Sequence, residues 1–374
     1  MSSYFSRERF GSPQFIAGFI LLLFLGQCVW FCAKAPLTAP ESAYVWQGQQ
    51  QWHTRSVMMH AAPSPITGLI GSLAVPSRSP DQQLPDHWKW LVRAPFMIMG
   101  VLFGASLWYV ARRLYGNVAG YIALSLYAFS PLSVVYSSTA QPVIIAAWGA
   151  FGLIFTAIGL AHTLYAPREV VLWNWKRILL LAIALGLSAA AQFSVVLLIP
   201  AAMIFMWYLA PVRRGAATVI MLAGSSVAFL ILIAAYGFHL SPLLQAATML
   251  GNVRPQALAV PVTYMRLGEF FLRQPSSLLL LVFSLIVYVA WRRTRFFGTS
   301  APLIVFGLAL ATGLLFPGQI AHGFFFLALP FAYVFISGVM TDLLESKYSP
   351  LALGLVLGVL IGHALMSVVG LLRM

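Results

Sequence analysis

The sequence predicts an all-α, polytopic membrane protein, and three observations carry that prediction. Of 374 residues, 61% are hydrophobic and 8% are charged; a soluble domain of this size needs a charged shell that such a composition cannot build. The apolar stretches recur without strand-like alternation at a spacing of about twenty residues, the length of a membrane-crossing helix, so the spans are helical. The basic residues, finally, gather on one set of short loops.

Element by element, we place about eleven spans, near 14–34, 91–111, 117–135, 143–164, 178–193, 195–210, 216–237, 277–291, 300–316, 320–340 and 351–371. The first run, Gln14 to Ala33, is expected to stay as a first helix. It is long, ends in Cys28-Val-Trp-Phe-Cys32 and is followed by no small-x-small cleavage site. Two cysteines four apart on that helix read as packing residues rather than as a disulfide or metal pair.

A net charge of +14 would point to nucleic acid in a soluble protein. Here its position gives another reason. With the N-terminus inside, Arg7 and Arg9, Arg112 and Arg113, Arg168, Lys176 and Arg177, Arg213 and Arg214, Arg292, Arg293 and Arg295, and Lys347 all fall on the cytoplasmic side. No nucleic-acid partner is needed.

Two connections are too long for turns, and both then lie on the outer side: about 35–90 and about 238–276. We expect one integral membrane domain over 1–374, with a core at 1–210 and further spans at 211–374. In the first outer loop, Thr38-Ala-Pro40-Glu41 reads as a capping box with Pro in the first turn. It opens a surface helix to about His53, with Tyr44, Trp46 and Trp52 as interfacial aromatics. Pro65 to Val75 forms a second apolar helix, too short to span, and Pro76–Pro80 breaks it.

The segment Pro40-Glu41-Ser42-Ala43-Tyr44-Val45-Trp46 draws attention because the chain holds only eight Asp and Glu residues. Glu41 is either a base or the residue that closes the cap on Thr38, and both roles can hold at once.

Several blocks in order resemble a known family. Pro40, Ala43, Tyr44 and Trp46 match the Pro-Asp-Glu-Ala-Tyr-Tyr-Trp segment of GT-C glycosyltransferases, the aminoarabinose-transferase and protein O-mannosyltransferase group, with Glu41 and Ser42 at its two acidic positions. Pro63-Ser64-Pro65-Ile66 stands where the family has His-Pro-Pro-Leu. Arg93-Ala94-Pro95, Ala111-Arg112-Arg113-Leu114-Tyr115-Gly116 and Ser130-Pro131-Leu132 follow in register. Trp148 is present, with Gln141 at the acidic position seven before it, and Gln192 follows Ser188-Ala-Ala-Ala191 where the family has Lys. The resemblance covers about 14–210.

It implies a transferase that moves a sugar from a polyprenyl-phosphate carrier to an acceptor at the outer face of a bacterial inner membrane, with inversion. Glu41 is then the catalytic carboxylate. Arg93, Tyr44 and Gln141, with Tyr264, Arg266 and Glu269 of the second outer loop, are the candidate substrate contacts. Arg55, Arg78, Lys89, Arg254 and Arg273 are further outer cations, each a phosphate ligand or a snorkelling side chain.

His53, His60 and His87 share the first outer loop with Glu41, Asp81 and Asp86, but their spacing matches no ligand pattern. No metal residue is assigned, and a divalent metal stays open as a cofactor. His239 and His322 read as interfacial polar residues, and His162 and His363 as hydrogen-bonded packing residues.

Two rival functions stand beside the transferase. The neutral Ser42, Gln141 and Gln192 also fit a catalytically inactive accessory subunit of a membrane complex. A transporter is a weaker fit, because its spans carry mid-membrane charge and paired broken helices.

Overall fold

The computed structural model describes residues 12–54, 64–76, 84–165, 175–248, 250, 258, 260–291, 296–316, 318–346 and 349–372. Among them every regular element is helical: α1 Ser12–Lys34, α2 Ala39–Thr54, α3 Pro65–Ser72, α4 Lys89–Tyr115, α5 Asn117–Ala128, α6 Pro131–Ser137, α7 Pro142–Thr163 and α8 Trp175–Ala191. Then come α9 Ile199–Leu209, α10 Arg214–Ala235, α11 Leu240–Thr248, α12 Pro261–Leu272, α13 Pro275–Trp291, α14 Phe296–Leu315, α15 Gly318–Leu344 and α16 Ser349–Leu372. Short 3-10 turns precede α4, α9 and α10.

Each of the eleven expected spans falls on helix, but the exact count of eleven is not confirmed. Among the described residues seven helices are long and apolar enough to cross a membrane, and up to nine if each of two bent pairs is one span. The difference lies partly between residues 175 and 209. There α8 has 17 residues, and the apolar run Phe193–Leu209 is no longer. At 1.5 Å per residue a helix of that length covers about 25 Å, less than the roughly 30 Å of a bilayer core.

The bent pairs have local causes. α5 and α6 meet at 69° because Ser130-Pro131 interrupts them. Pro131 brings no N–H to the α5 ladder, and Ser130 Oγ instead accepts the Ser133 amide at 3.4 Å to start α6. The break frees the carbonyl of Leu126, and His363 on α16 donates to it from Nε2 at 3.1 Å. The other ring nitrogen of His363 meets Ser276 Oγ at 2.6 Å. One imidazole thus ties α16 to the α5 break and to the start of α13, as its reading as a bonded packing residue expects. The second bend, 100° between α12 and α13, comes at Pro275. There Gln274 Oε1 accepts from Ser130 at 3.1 Å and from Ser277 at 3.2 Å.

α15 is the centre of the bundle. Its apolar stretch is wholly buried, and it packs on α4, α5, α7, α13, α14 and α16. Rings from three helices connect to its Phe331: Phe103, Tyr127, Phe151, Phe155 and Phe331 lie with centroids 4.7–5.8 Å apart along their chain of contacts. Cys28 and Cys32 on α1 are buried and free.

The two short helices expected in the first long loop are present, as α2 and α3. They touch backbone to backbone: a Cβ on Gly48 would lie 1.9 Å from the Gly68 carbonyl oxygen, so only glycine fits. α3 in turn rests on α4, α7 and α8. Gln49 Nε2 donates to the carbonyls of Val75 at 3.3 Å and Pro76 at 2.9 Å, and Gln51 Nε2 donates to Ala235 O at the end of α10. The polar face of α2 is therefore stitched to the bundle rather than laid on it.

Candidate active site

The capping box at the start of α2 forms as read. Thr38 N donates to Glu41 Oε2 at 2.9 Å, and Glu41 N returns a bond to Thr38 Oγ1 at 3.5 Å. The same carboxylate also holds Arg93 of α4. Arg93 Nε reaches Oε1 and Nη2 reaches Oε2, each at 2.7 Å, and both side chains are 0% exposed. Thr38 Oγ1 adds a bond to Oε2 at 2.9 Å, and the Ala140 amide adds one to Oε1 at 3.0 Å.

Glu41 therefore accepts from five donors. Burial by itself would raise its pKa, but the bonds and charge of Arg93, with the Ala140 and Thr38 amides, outweigh that and hold it below the ordinary carboxylate value.

Arg93 does a second job with its remaining donors. Nη1 bonds Ala35 O at 2.8 Å and Nη2 bonds Pro36 O at 2.7 Å. One turn earlier on α4, Lys89 Nζ bonds Ala33 O at 2.9 Å and Asp86 Oδ2 at 3.0 Å. Carbonyls at and just beyond the end of α1 are so capped from α4. These two cations fix where the chain leaves α1 and enters α2.

Beside this latch lies a cavity of about 190 Å³. It is lined by Pro40 and Tyr44 of α2, Tyr136 of α6, Gln141 before α7, Gln192 and Ser194 after α8, and His322 of α15, among others. Gln192 Nε2 donates to Ser194 Oγ at 3.0 Å. Burial pushes the Tyr44 hydroxyl up, which keeps it a hydrogen-bonding phenol. The lining among the described residues carries hydroxyls, amides and one imidazole, a set suited to sugar hydroxyls.

The candidate residues divide accordingly. Tyr44 and Gln141 line the cavity. Glu41 and Arg93 do not, although Glu41 sits between lining residues of its own helix. Tyr264, Arg266 and Glu269 on α12 do not line it either. Tyr264 is half-exposed and bonds Leu258 O at 2.8 Å. Trp148 points its Nε1 at Ser106 Oγ of α4, 3.3 Å away. Arg55, Arg78, Arg254, His60 and Asp81 lie outside the described residues.

Sequence reading passed over Tyr136 and Ser194 as site residues and set His322 at the interface. The one signal was the placement of Ser194 two residues beyond Gln192. Among the described residues no group of three His, Cys, Asp or Glu side chains is placed to hold a metal ion.

Three comparisons bear on this arrangement. The family model described as dolichyl-phosphate-mannose-protein mannosyltransferase matches residues 83–237. No curated protein matches the chain. Solved structures of the oligosaccharyltransferase of Archaeoglobus fulgidus do. Its apo form has a TM-score of 0.60 at 13% identity, covering 99% of this chain and 57% of that one. Its complex with an inhibitory peptide and a dolichol-phosphate has a TM-score of 0.58 at 13% identity, covering 96% and 56%. Its complex with Zn and sulfate has a TM-score of 0.56 at 14% identity, covering 95% and 53%.

The chain thus spans little more than half the length of the oligosaccharyltransferase it matches. At such identities the likeness is one of fold. Over residues 83–237 the sequence is similar to that mannosyltransferase family, and the polytopic helical fold is similar to that of the oligosaccharyltransferase.

Proposed function

We propose that this chain transfers a sugar from a polyprenyl-phosphate carrier to an acceptor hydroxyl at the outer face of a bacterial inner membrane. The observation that carries the reading is the cavity. It is large enough for a monosaccharide, is lined by hydroxyls and amides, and is walled by the same α2 that carries the Pro-Glu-Ser-Ala-Tyr-Val-Trp segment. The acceptor oxygen attacks the anomeric carbon there, the carrier phosphate leaves from the opposite side, and the configuration inverts.

In this reading Glu41 is a positioning residue. Its carboxylate anchors α2 to α4, and through that anchor it sets Pro40 and Tyr44 at the cavity wall. The five donors on its two oxygens support that role better than proton transfer, for which an open oxygen is needed. Tyr44, Gln141 and Gln192 hold the sugar.

The test is transfer by the purified full chain in lipid nanodiscs, with radiolabelled short-chain polyprenyl-phosphomannose as the donor probe. Label should pass to a hydroxyl acceptor, and Gln192→Ala and Gln141→Ala should raise the donor KM.

One observation favours the rival, a catalytically inactive subunit on the same fold: the saturated Glu41–Arg93 pair is a structural use of the residue that the family resemblance makes the base. That reading gains if the wild-type chain transfers no label and purifies in fixed stoichiometry with another membrane protein.

A further inference from the structure

We propose that His322 takes the acceptor's proton in the cavity. This deepens the transferase reading and rests on it. If Glu41 is held by five donors, the proton released as the acceptor attacks needs another destination. Among the described residues lining the cavity, the titratable side chains are Tyr44, Tyr136 and His322. A phenol holds its proton at neutral pH, and amides and alcohols do not take one. Imidazole is the side chain that exchanges a proton near neutrality.

The setting of His322 also favours a working role. It lies in the first turns of α15, the buried central helix, so its backbone is fixed. The next residue, Gly323, is crowded by Gln192: a Cβ there would stand 2.4 Å from Gln192 Oε1. Glycine thus lets the Gln192–Ser194 pair press against the backbone beside the imidazole. The ring of Phe325, one turn on, meets the imidazole edge-on at 6.3 Å and 67°. An orienting aromatic, an amide and a hydroxyl, and the imidazole therefore share one wall, with Tyr44 and Gln141 around the same space.

The step balances. The bond from acceptor oxygen to anomeric carbon forms, and the bond from anomeric carbon to phosphate oxygen breaks. Its electron pair leaves on the polyprenyl phosphate, and the acceptor's proton passes to an imidazole nitrogen, which later returns it to water. Of the other titratable groups, Tyr44 and Tyr136 share the cavity, and Arg273 beyond α12 is the charged side chain whose field reaches Tyr136.

The experiment uses the full chain in nanodiscs, with polyprenyl-phosphomannose as the donor and a panel of hydroxyl acceptors: a seryl peptide, a saccharide and water. His322→Gln should lower kcat by about a hundredfold or more, the usual worth of a general base. Its donor KM should stay within about threefold, since sugar contacts remain. The acid limb of the kcat–pH profile should flatten in this variant, and free imidazole should restore turnover to His322→Gly.

Turnover undiminished in His322→Gln with an unchanged pH profile overturns the assignment. So does a loss with a raised donor KM and no imidazole rescue, which marks a packing role. Failure of the wild-type chain to transfer label to any acceptor removes the transferase reading itself, and this assignment with it.

Discussion

Glu41 on α2 and Arg93 on α4 meet as a forked, fully buried pair, with both arms at 2.7 Å. A buried pair of this kind adds little net energy relative to apolar residues of the same shape, but breaking one side leaves an uncompensated charge. Arg93→Ala should therefore cost about 3–5 kcal/mol. It also strips the cap from Ala35 and Pro36. Pairing it with Glu41→Leu, which removes the stranded carboxylate, should recover part of that loss. Thermal unfolding of the two variants in detergent checks the order.

The same pair sets an acid response. The pKa of Glu41 is depressed in the folded chain relative to the ordinary 4.5. Its contribution to stability is thus fully present above that value, and it is lost as pH falls below 4.5 toward the folded value. The Tm gap between wild type and Glu41→Gln should be constant from neutral pH down to that point and should shrink below it. A gap that persists unchanged at lower pH would show that the carboxylate is not depressed.

The contact of α2 with α3 is limited by Gly48, where a Cβ would enter the Gly68 carbonyl. Gly48→Ala must push the two helices apart, at about 1–3 kcal/mol of overpacking. Because Tyr44 on α2 and Ser64, just before α3, line the cavity, we expect a rise in donor KM together with the fall in Tm. Parallel melting and kinetic measurements check both.

His363 closes the break between α5 and α6 by donating to Leu126 O, and it meets Ser276 on its other side. His363→Leu leaves the carbonyl unpaired and should cost about 1–3 kcal/mol. His363→Gln, which can still donate, should cost less. Unfolding temperatures of the two variants decide it, and equal losses would mean that packing volume rather than the hydrogen bond is at stake.

Much of this was legible in residue order. Thr38-Ala-Pro40-Glu41 announced the start of α2 because a capping box needs only residues three apart. Pro65 announced α3, and the apolar runs announced the spans. What order could not show was pairing at a distance. Glu41 and Arg93 were each singled out, but for separate tasks, and nothing local says that residues 52 apart share two hydrogen bonds. Ser130-Pro131-Leu132 marked the end of the third apolar run, but not the 69° turn at that point. Likewise Gln141, Gln192 and His322 meet only because α7, α8 and α15 pack there. Hydropathy registers apolar length before it registers the short, turned helices around Gln192, so the exact number of crossings is not confirmed there.

The central claim is that the cavity beside α2 is where the lipid-linked sugar binds. The most direct measurement places a photo-crosslinking amino acid at Gln192 in the cavity, and in a second variant at Tyr264 on α12, outside it. Each protein is irradiated with radiolabelled polyprenyl-phosphomannose in nanodiscs. Label captured at position 192, competed by unlabelled donor, with little at 264, is the predicted result. Label at 264 with none at 192 would contradict it.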